Sequence, residues 1–305
     1  MATLRRVLFR SLQLALAPLP VRWFKKIPGV PTIYKAVYRR LKPEGETVVE
    51  CLGHRLHVNA HDEGIARQIL VKGIYEAAET RFFTRWLQPG MSVLDVGANF
   101  GYFTVLAARA VGDRGSVHAF EPEPGNFALL QRNVAEHGYR WAHPHRLALS
   151  DAPGRAELFT DPSNLGNPSL TEANVPEKGG SVDVELVTLD GFLGELGERR
   201  RVDLLKMDVQ GFEGKVLAGA QRMLERDRPW MLLEIWPKGL RRAGTEPLDL
   251  LQGLSAMGYR LRELDEEGHP GRTLGVEELV ARCDRMVDGE EFQNVLFEPV
   301  ARGTA

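Results

Sequence analysis

The stretch Ser92 to Ala110, SVLDVGANFGYFTVLAARA, constrains the fold more than any other part of the chain. Val93 to Val96 is a short run without polar alternation, interrupted only by Asp95, as expected of a parallel strand buried on both faces. Gly97-Ala98-Asn99-Phe100-Gly101 reads as a tight loop and Tyr102 to Ala110 as a helix, so strand, glycine turn and helix follow without a spare residue. The expected use of such a junction is to turn backbone N–H groups at the helix start toward a ligand, while the glycines let that ligand approach the main chain.

A second short strand, Ser116 to Phe120, ends in Glu121-Pro122, which places a carboxylate where nucleotide-binding sheets hold ribose hydroxyls. Two details argue against a nicotinamide or flavin. Asn99 replaces the middle glycine of the dinucleotide fingerprint, and Asp95 lies two residues before the first glycine. Asn tolerates positive φ, so the turn survives, but close approach to a pyrophosphate does not. A ligand with an adenosine, no phosphate and a charged amino-acid tail fits better, and S-adenosylmethionine is such a ligand.

The blocks DVGANFGYFT, HAFEPEPGNFALLQRNV, LALSDAPG, VDLLKMDVQGFEGKVLAGA and LLEIWP, from about Gly73 to about Pro299, closely resemble the FkbM-type family of S-adenosylmethionine-dependent methyltransferases. The resemblance implies the seven-stranded class I methyltransferase sheet. It also implies that the Gly-Ile-Tyr-Glu stretch ending at Glu76 closes over the methionine end of the cofactor. The family usually has an acid where this chain has Gln210.

Apart from the resemblance, strand and helix patterns alternate from Ser92 onward: strands at Ser116 to Phe120, His145 to Leu149, Val182 to Leu189, Val202 to Met207 and Trp230 to Ile235, with helices over Asn126 to Glu136, Phe212 to Glu225 and Leu248 to Met257. Alternation of this kind means a Rossmann-like, doubly wound, mostly parallel sheet. Tyr259 to Leu264 and Asn294 to Phe297, with no helix pattern of ordinary length between them, predict an antiparallel edge. Thr47 to Leu52 and Arg55 to Asn59 predict a hairpin, and Glu63 to Leu87 a helical stretch broken near Gly73. The expected domains are therefore a basic arm over residues 1–45, a hairpin and helical cap over 46–90, and the catalytic domain over 91–300.

The net charge of -2 conceals the arm. Met1 to Lys42 carries ten Lys or Arg and no Asp or Glu, leaving 29 basic against 41 acidic residues in the remainder. The apolar run after Arg10 is too short for a signal peptide or a bilayer span. Met1 to Ala17 is open to two readings: a helix docked on the domain or a partner, or one lying on an anionic membrane surface. No basic face on the body suggests nucleic acid. Cys51 and Cys283 lie far apart, in keeping with reduced thiols and a cytoplasmic protein, peripheral to the inner face of a membrane on the second reading.

Ligands of open α/β sheets bind beyond the carboxyl ends of the strands. The candidates there for the cofactor are Asp95, Gly97, Asn99, Gly101, Glu121, Ser150 and Asp151. Lys206, Asp208 and Glu234 are the catalytic candidates, because methyl transfer to an alcohol needs the nucleophile held in line and its proton removed by a positioned carboxylate. Asp208 comes first and Glu234 next; a Lys206–Asp208 pair that only braces the sheet is the alternative. Mg2+ held by the two carboxylates is admissible but not favoured, and no other metal is expected. Asp161 to Gly180, rich in Asn, Gly, Pro and Ser, reads as a substrate-facing loop offering Asn167 and Ser169. His57 and His61 could reach the acceptor pocket, but solvated or core imidazoles are the simpler reading. The expectation is O-methylation of a hydroxylated small molecule: a sugar, glycoconjugate or polyketide-like natural product. An amine or RNA acceptor, or an inactive cofactor-binding or membrane-associated scaffold at which Gln210 hints, are the alternatives.

Overall fold

The computed structural model describes residues 45–62, 64–161, 168–176, 179–197, 200–285 and 292–300, so the basic arm and Asn167 lie outside it. The chain divides into two compact units, one ending at Tyr75 and the other starting at Glu76, a division that falls inside the stretch expected to form the cap.

In the first unit, β1 (Glu46–Cys51) and β2 (His54–Asn59) form the expected hairpin, with Leu52 and Gly53 in left-handed conformation at its turn. Helix α1 (Ile65–Lys72) starts where the Asp62 carboxylate accepts the Gly64 and Ala66 N–H groups. It ends at left-handed Gly73, the break expected from the sequence, whose carbonyl accepts the Cys51 thiol.

The second unit begins with α2 (Ala77–Trp86), β3 (Ser92–Val96), α3 (Tyr102–Val111), β4 (Ser116–Phe120), α4 (Pro124–Glu136), β5 (Ala142–His145), β6 (Ala148–Leu149), β7 (Gly154–Thr160), β8 (Gly180–Val187) and α5 (Leu189–Glu195). It continues through β9 (Leu204–Met207), α6 (Glu213–Ala218), α7 (Gln221–Asp227), β10 (Trp230–Ile235), α8 (Pro237–Arg242), α9 (Pro247–Ala256), β11 (Tyr259–Leu264), β12 (Pro270–Thr273), α10 (Val276–Arg285) and β13 (Gln293–Pro299). The main sheet has the order β12-β11-β13-β10-β9-β3-β4-β5. Its central pairs are parallel, and β13 runs antiparallel between β10 and β11. Every residue of β3 and β4 is buried, as strands covered on both faces require. Strand order reverses between β3 and β9, and that junction is where such sheets bind ligands.

The doubly wound reading holds, with local corrections. The sheet has eight strands among the described residues, because β12 folds back along β11 beyond the seven expected. The strand read over His145 to Leu149 is two: β5 stays in the main sheet, and β6 joins β8 and β7 in a separate three-stranded sheet. The helix read over Phe212 to Glu225 is α6 and α7, broken at Gly219, where a side chain would collide with the Ser150 carbonyl. A ten-residue helix, α10, does stand between the last strands; Val276, Leu279, Val280 and Cys283 recur at helical spacing and form its core-facing side, a pattern the sequence reading passed over.

Helix α2 positions the residue before it. Phe82 and Phe83 are buried, Phe83 lying 4.9 Å from the Phe103 ring of α3, and each such burial contributes about 1.5–3 kcal/mol. Arg81 and Arg85 donate to the carbonyls of Glu266 and Glu267 in the β11–β12 turn, tying the outer face of α2 to the sheet edge.

Candidate active site at the strand-order switch

Gly97, Asn99 and Gly101 all have left-handed φ, 76°, 52° and 90°, so the turn between β3 and α3 has the expected form. The N–H groups of the turn itself are bound within the chain. Those of Gly97 and Ala98 go to the Phe120 carbonyl, that of Asn99 to Glu121 Oε2 (2.8 Å), that of Phe100 to Asn99 Oδ1 and that of Gly101 to the Ala98 carbonyl. The loop therefore spends its donors on itself and on β4. The glycines likewise serve chain packing: a Cβ on Gly97 would lie 2.9 Å from the Asp208 carbonyl carbon, and one on Gly101 2.6 Å from Leu130 Cδ1.

The acids around this turn are buried. Asp95 is 0% exposed; its Oδ2 accepts the Thr104 hydroxyl at 2.6 Å, while Oδ1 has no hydrogen-bond partner among the described residues. Glu121 accepts the Asn99 and Glu123 N–H groups with its two oxygens, and burial pushes its pKa to about 8. Glu76 occupies the N-cap position of α2 at φ 38°. Burial, reinforced by the charge of Asp208, pushes its carboxyl to about 7.

Across the switch, Lys206 lies beside Asp95 in the β3–β9 register. Its ammonium is 3.8 Å from Asp208 Oδ2 and 5.1 Å over the Phe103 ring. Burial works against that charge, but Asp208, Asp95, Glu76 and Glu234 outweigh it, and its pKa is raised. Burial, then the charge of Asp208, holds Glu234 well above the ordinary carboxylate range. Between these carboxylates lies Gln210, whose side-chain nitrogen donates to Asp208 Oδ1 at 2.8 Å and to Glu234 Oε1 at 3.2 Å. Glu213 fixes the loop beneath, accepting the N–H groups of Val209 and Gly211 with Oε1. Its Oε2 has no hydrogen-bond partner, and burial pushes it to about 7.

The structure thus brings together Glu76, Asp95, Lys206, Asp208 and Glu234, with Glu121 at the next strand end. The other candidates have different partners. Asp151 is exposed and paired at 2.9 Å with Lys215, whose hydrogen bond holds it below its ordinary pKa; the Ser150 hydroxyl donates to it. Ser169 is 1% exposed and its hydroxyl donates to the Gln210 carbonyl, so it braces the loop after β9. Asn167 is outside the described residues. His57 and His61 belong to the first unit, where His61 Nε2 accepts the Gly45 N–H. Sequence reading missed Thr104, Glu213 and Asn174. The first two had a signal, a hydroxyl and an acid in the opening turn of a helix. Asn174 had none: its amide donates to the carbonyls of Gln210 and Gly239, from segments distant in sequence. Among the described residues, no three His, Cys, Asp or Glu side chains are disposed to hold a metal ion.

The FkbM methyltransferase domain model matches residues 95–261, which include the Gly97 to Gly101 turn, Asp95, Glu121, Lys206, Asp208 and Glu234 but not Glu76. Methyltransferase 1 of Beauveria bassiana is 30% identical over 158 residues, covering 47% of this chain and 61% of that protein, so the chain spans less than two thirds of its length. The 31-O-demethyl-FK506 methyltransferase FkbM of Streptomyces tacrolimicus is 31% identical over 206 residues, 59% of this chain and 74% of that one. The 2-O-methyltransferase NoeI of Sinorhizobium fredii is 29% identical over 160 residues, 46% of this chain and 62% of that protein. With a family model covering more than half of its residues and the loop, Glu121 and Asp208 all inside the match, the chain belongs to the FkbM methyltransferase family.

Proposed function

We propose that this chain is an S-adenosylmethionine-dependent O-methyltransferase acting on a hydroxyl of a sugar, glycoconjugate or polyketide-like natural product. The observation that carries the reading is a strand-switch loop whose N–H groups are all internally bound, flanked by buried carboxylates that outnumber the single Lys206. Such a site suits a ligand bearing positive charge and hydroxyl groups and offers nothing to a pyrophosphate. The relatives named for O-methylation support a hydroxyl acceptor.

The residues fit the cofactor. Asp95, with its buried unpartnered Oδ1, and Glu76 would face the ammonium and sulfonium end, and Glu121 the ribose hydroxyls. When bound, S-adenosylmethionine supplies a methyl group already activated by a sulfonium. The chain's own task is then to hold the acceptor oxygen in line and take its proton. Asp208 is that proton acceptor: its side chain keeps 16% exposure and lies 3.8 Å from the Lys206 ammonium. Glu234, 3% exposed, backs it through Gln210. Positioned proton removal is worth roughly two to four orders of magnitude. The basic arm, by this reading, is a cytoplasmic docking or membrane-surface segment rather than part of the site.

The test is transfer of a labelled methyl group to a panel of hydroxylated glycans and macrolides by wild type and Asp208→Asn. Expected is O-linked label, lost about 100-fold or more in the variant with S-adenosylhomocysteine binding retained. Label on amines or RNA, or unchanged transfer by Asp208→Asn, would overturn the assignment.

A further inference from the structure

We infer that Gln210 is a neutral stand-in for a divalent cation, a positioning residue that holds Asp208 and Glu234 together and keeps a metal ion out of the site. Two carboxylates at adjacent strand ends are natural ligands for Mg2+ or Mn2+, which need a further oxygen ligand and room between them. Here that space is taken. One amide nitrogen reaches both acids, at 2.8 Å and 3.2 Å, and with carboxylates on both sides the group facing them must be the NH2, whose two hydrogens serve one acid each.

The arrangement is built rather than incidental. Gln210 sits at φ 53°, a left-handed conformation that strains a residue with a Cβ. The surroundings enforce it. Its carbonyl accepts from Asn174 Nδ2 at 2.9 Å and from the Ser169 hydroxyl at 3.3 Å, while Glu213 Oε1 takes the N–H groups on either side. The next residue, Gly211, has no room for a side chain, since a Cβ would lie 2.7 Å from Asn174 Nδ2 and 2.5 Å from the Gly239 carbonyl carbon. Three residues from two parts of the chain, Ser169 and Asn174 on one and Glu213 on the other, therefore hold the backbone that carries this amide between two carboxylates. The amide holds both acids at a fixed separation, as an ion would, but brings no charge and no oxygen ligand. Gln210 is thus consistent with a working site and does not point to an inactive scaffold.

The inference rests on Asp208 and Glu234 as the working carboxylates of the proposed function, but its test reads metal binding and not turnover. Intact wild type, Gln210→Glu and Gln210→Ala are titrated calorimetrically with MnCl2, with melting temperatures measured with and without Mn2+. Gln210→Glu keeps length and shape and adds the missing oxygen ligand. It is expected to bind one Mn2+ at least about tenfold more tightly than wild type, to be stabilised by it, and to lose both properties when combined with Asp208→Asn. Gln210→Ala removes the filler without adding a ligand and falls between the two; should Gln210→Glu fail to fold, this variant decides. Saturable Mn2+ binding by wild type that Asp208→Asn abolishes would overturn the inference, as would folded variants with no more affinity for Mn2+ than wild type.

Discussion

Replacing Gly97 with Ala should damage catalysis through Asp208, a residue on a different strand. Gly97 has φ 76°, where an L side chain costs about 1–2 kcal/mol. The added methyl would lie 2.9 Å from the Asp208 carbonyl carbon and closer still to its oxygen, whereas carbon–carbon contacts relax at about 3.5–4.0 Å. The neighbour is backbone, held by the Asp208 N–H bond to the Val96 carbonyl at 3.0 Å, so it cannot swing aside as a side chain would. Relief requires the β3 and β9 loops to separate by about 1 Å, with a total loss of about 2–4 kcal/mol, or roughly 5–15 °C in melting temperature. A displacement of that size at the proposed proton acceptor is worth about 100-fold in rate. The assay pairs a thermal melt with single-turnover methyl transfer at saturating acceptor. An alanine variant with wild-type melting temperature and transfer rate would refute the claim that the two loops are in hard contact.

Glu121→Gln offers one oxygen where two N–H groups, of Asn99 and Glu123, need acceptors, so chemical denaturation should show a loss of about 1–3 kcal/mol. Asn174→Leu strips a donor from the Gln210 and Gly239 carbonyls and should cost about 1–3 kcal/mol in the same experiment, with a higher KM for the acceptor. Stability should also vary with pH in two directions. Glu121, raised to about 8, and Glu76 and Glu213, raised to about 7, lose protons on unfolding above the ordinary 4.5, so they contribute less as pH rises and nothing further is lost above about 8.5. His118 and His145, lowered by burial to about 4, gain protons on unfolding below 6.5 and so destabilise the fold as pH falls toward 4. The two effects oppose each other below 6.5, whereas above it the carboxylates act alone. The melting temperature should therefore fall between pH 6.5 and 8.5, and a flat profile there would mean that these acids are not held protonated.

The legible parts of the fold were those set by adjacent residues. Ser92 to Ala110 could be read because strand, turn and helix are consecutive, and Asp95, Lys206, Asp208 and Glu234 could be gathered because strand ends share one rim. What could not be read depends on partners far away in the chain. The loop N–H groups from Gly97 to Gly101 looked available from sequence and are taken, three of them by Phe120 and Glu121 across the next strand. Gln210 looked like a weakened acid, yet its amide links two carboxylates only because residues at 169, 174 and 213 hold its backbone left-handed. Ser169, read as facing a substrate, gives its hydroxyl to the Gln210 carbonyl, because a polar loop residue gives no sign in sequence of which way its hydroxyl points. The strand Pro270–Thr273 was missed because Pro-Gly reads as a turn, and here it pairs at a sheet edge where proline is tolerated.

The central claim is that the buried acids around the Gly97 to Gly101 turn form a site for the adenosine and amino-acid ends of S-adenosylmethionine. Calorimetric titration of the folded, intact protein with S-adenosylhomocysteine, alongside Glu121→Gln, tests it most directly. The account predicts one site per chain with micromolar affinity, weakened at least about tenfold in the variant. A folded wild-type protein that takes up no S-adenosylhomocysteine, or a variant that binds it equally well, would contradict the account.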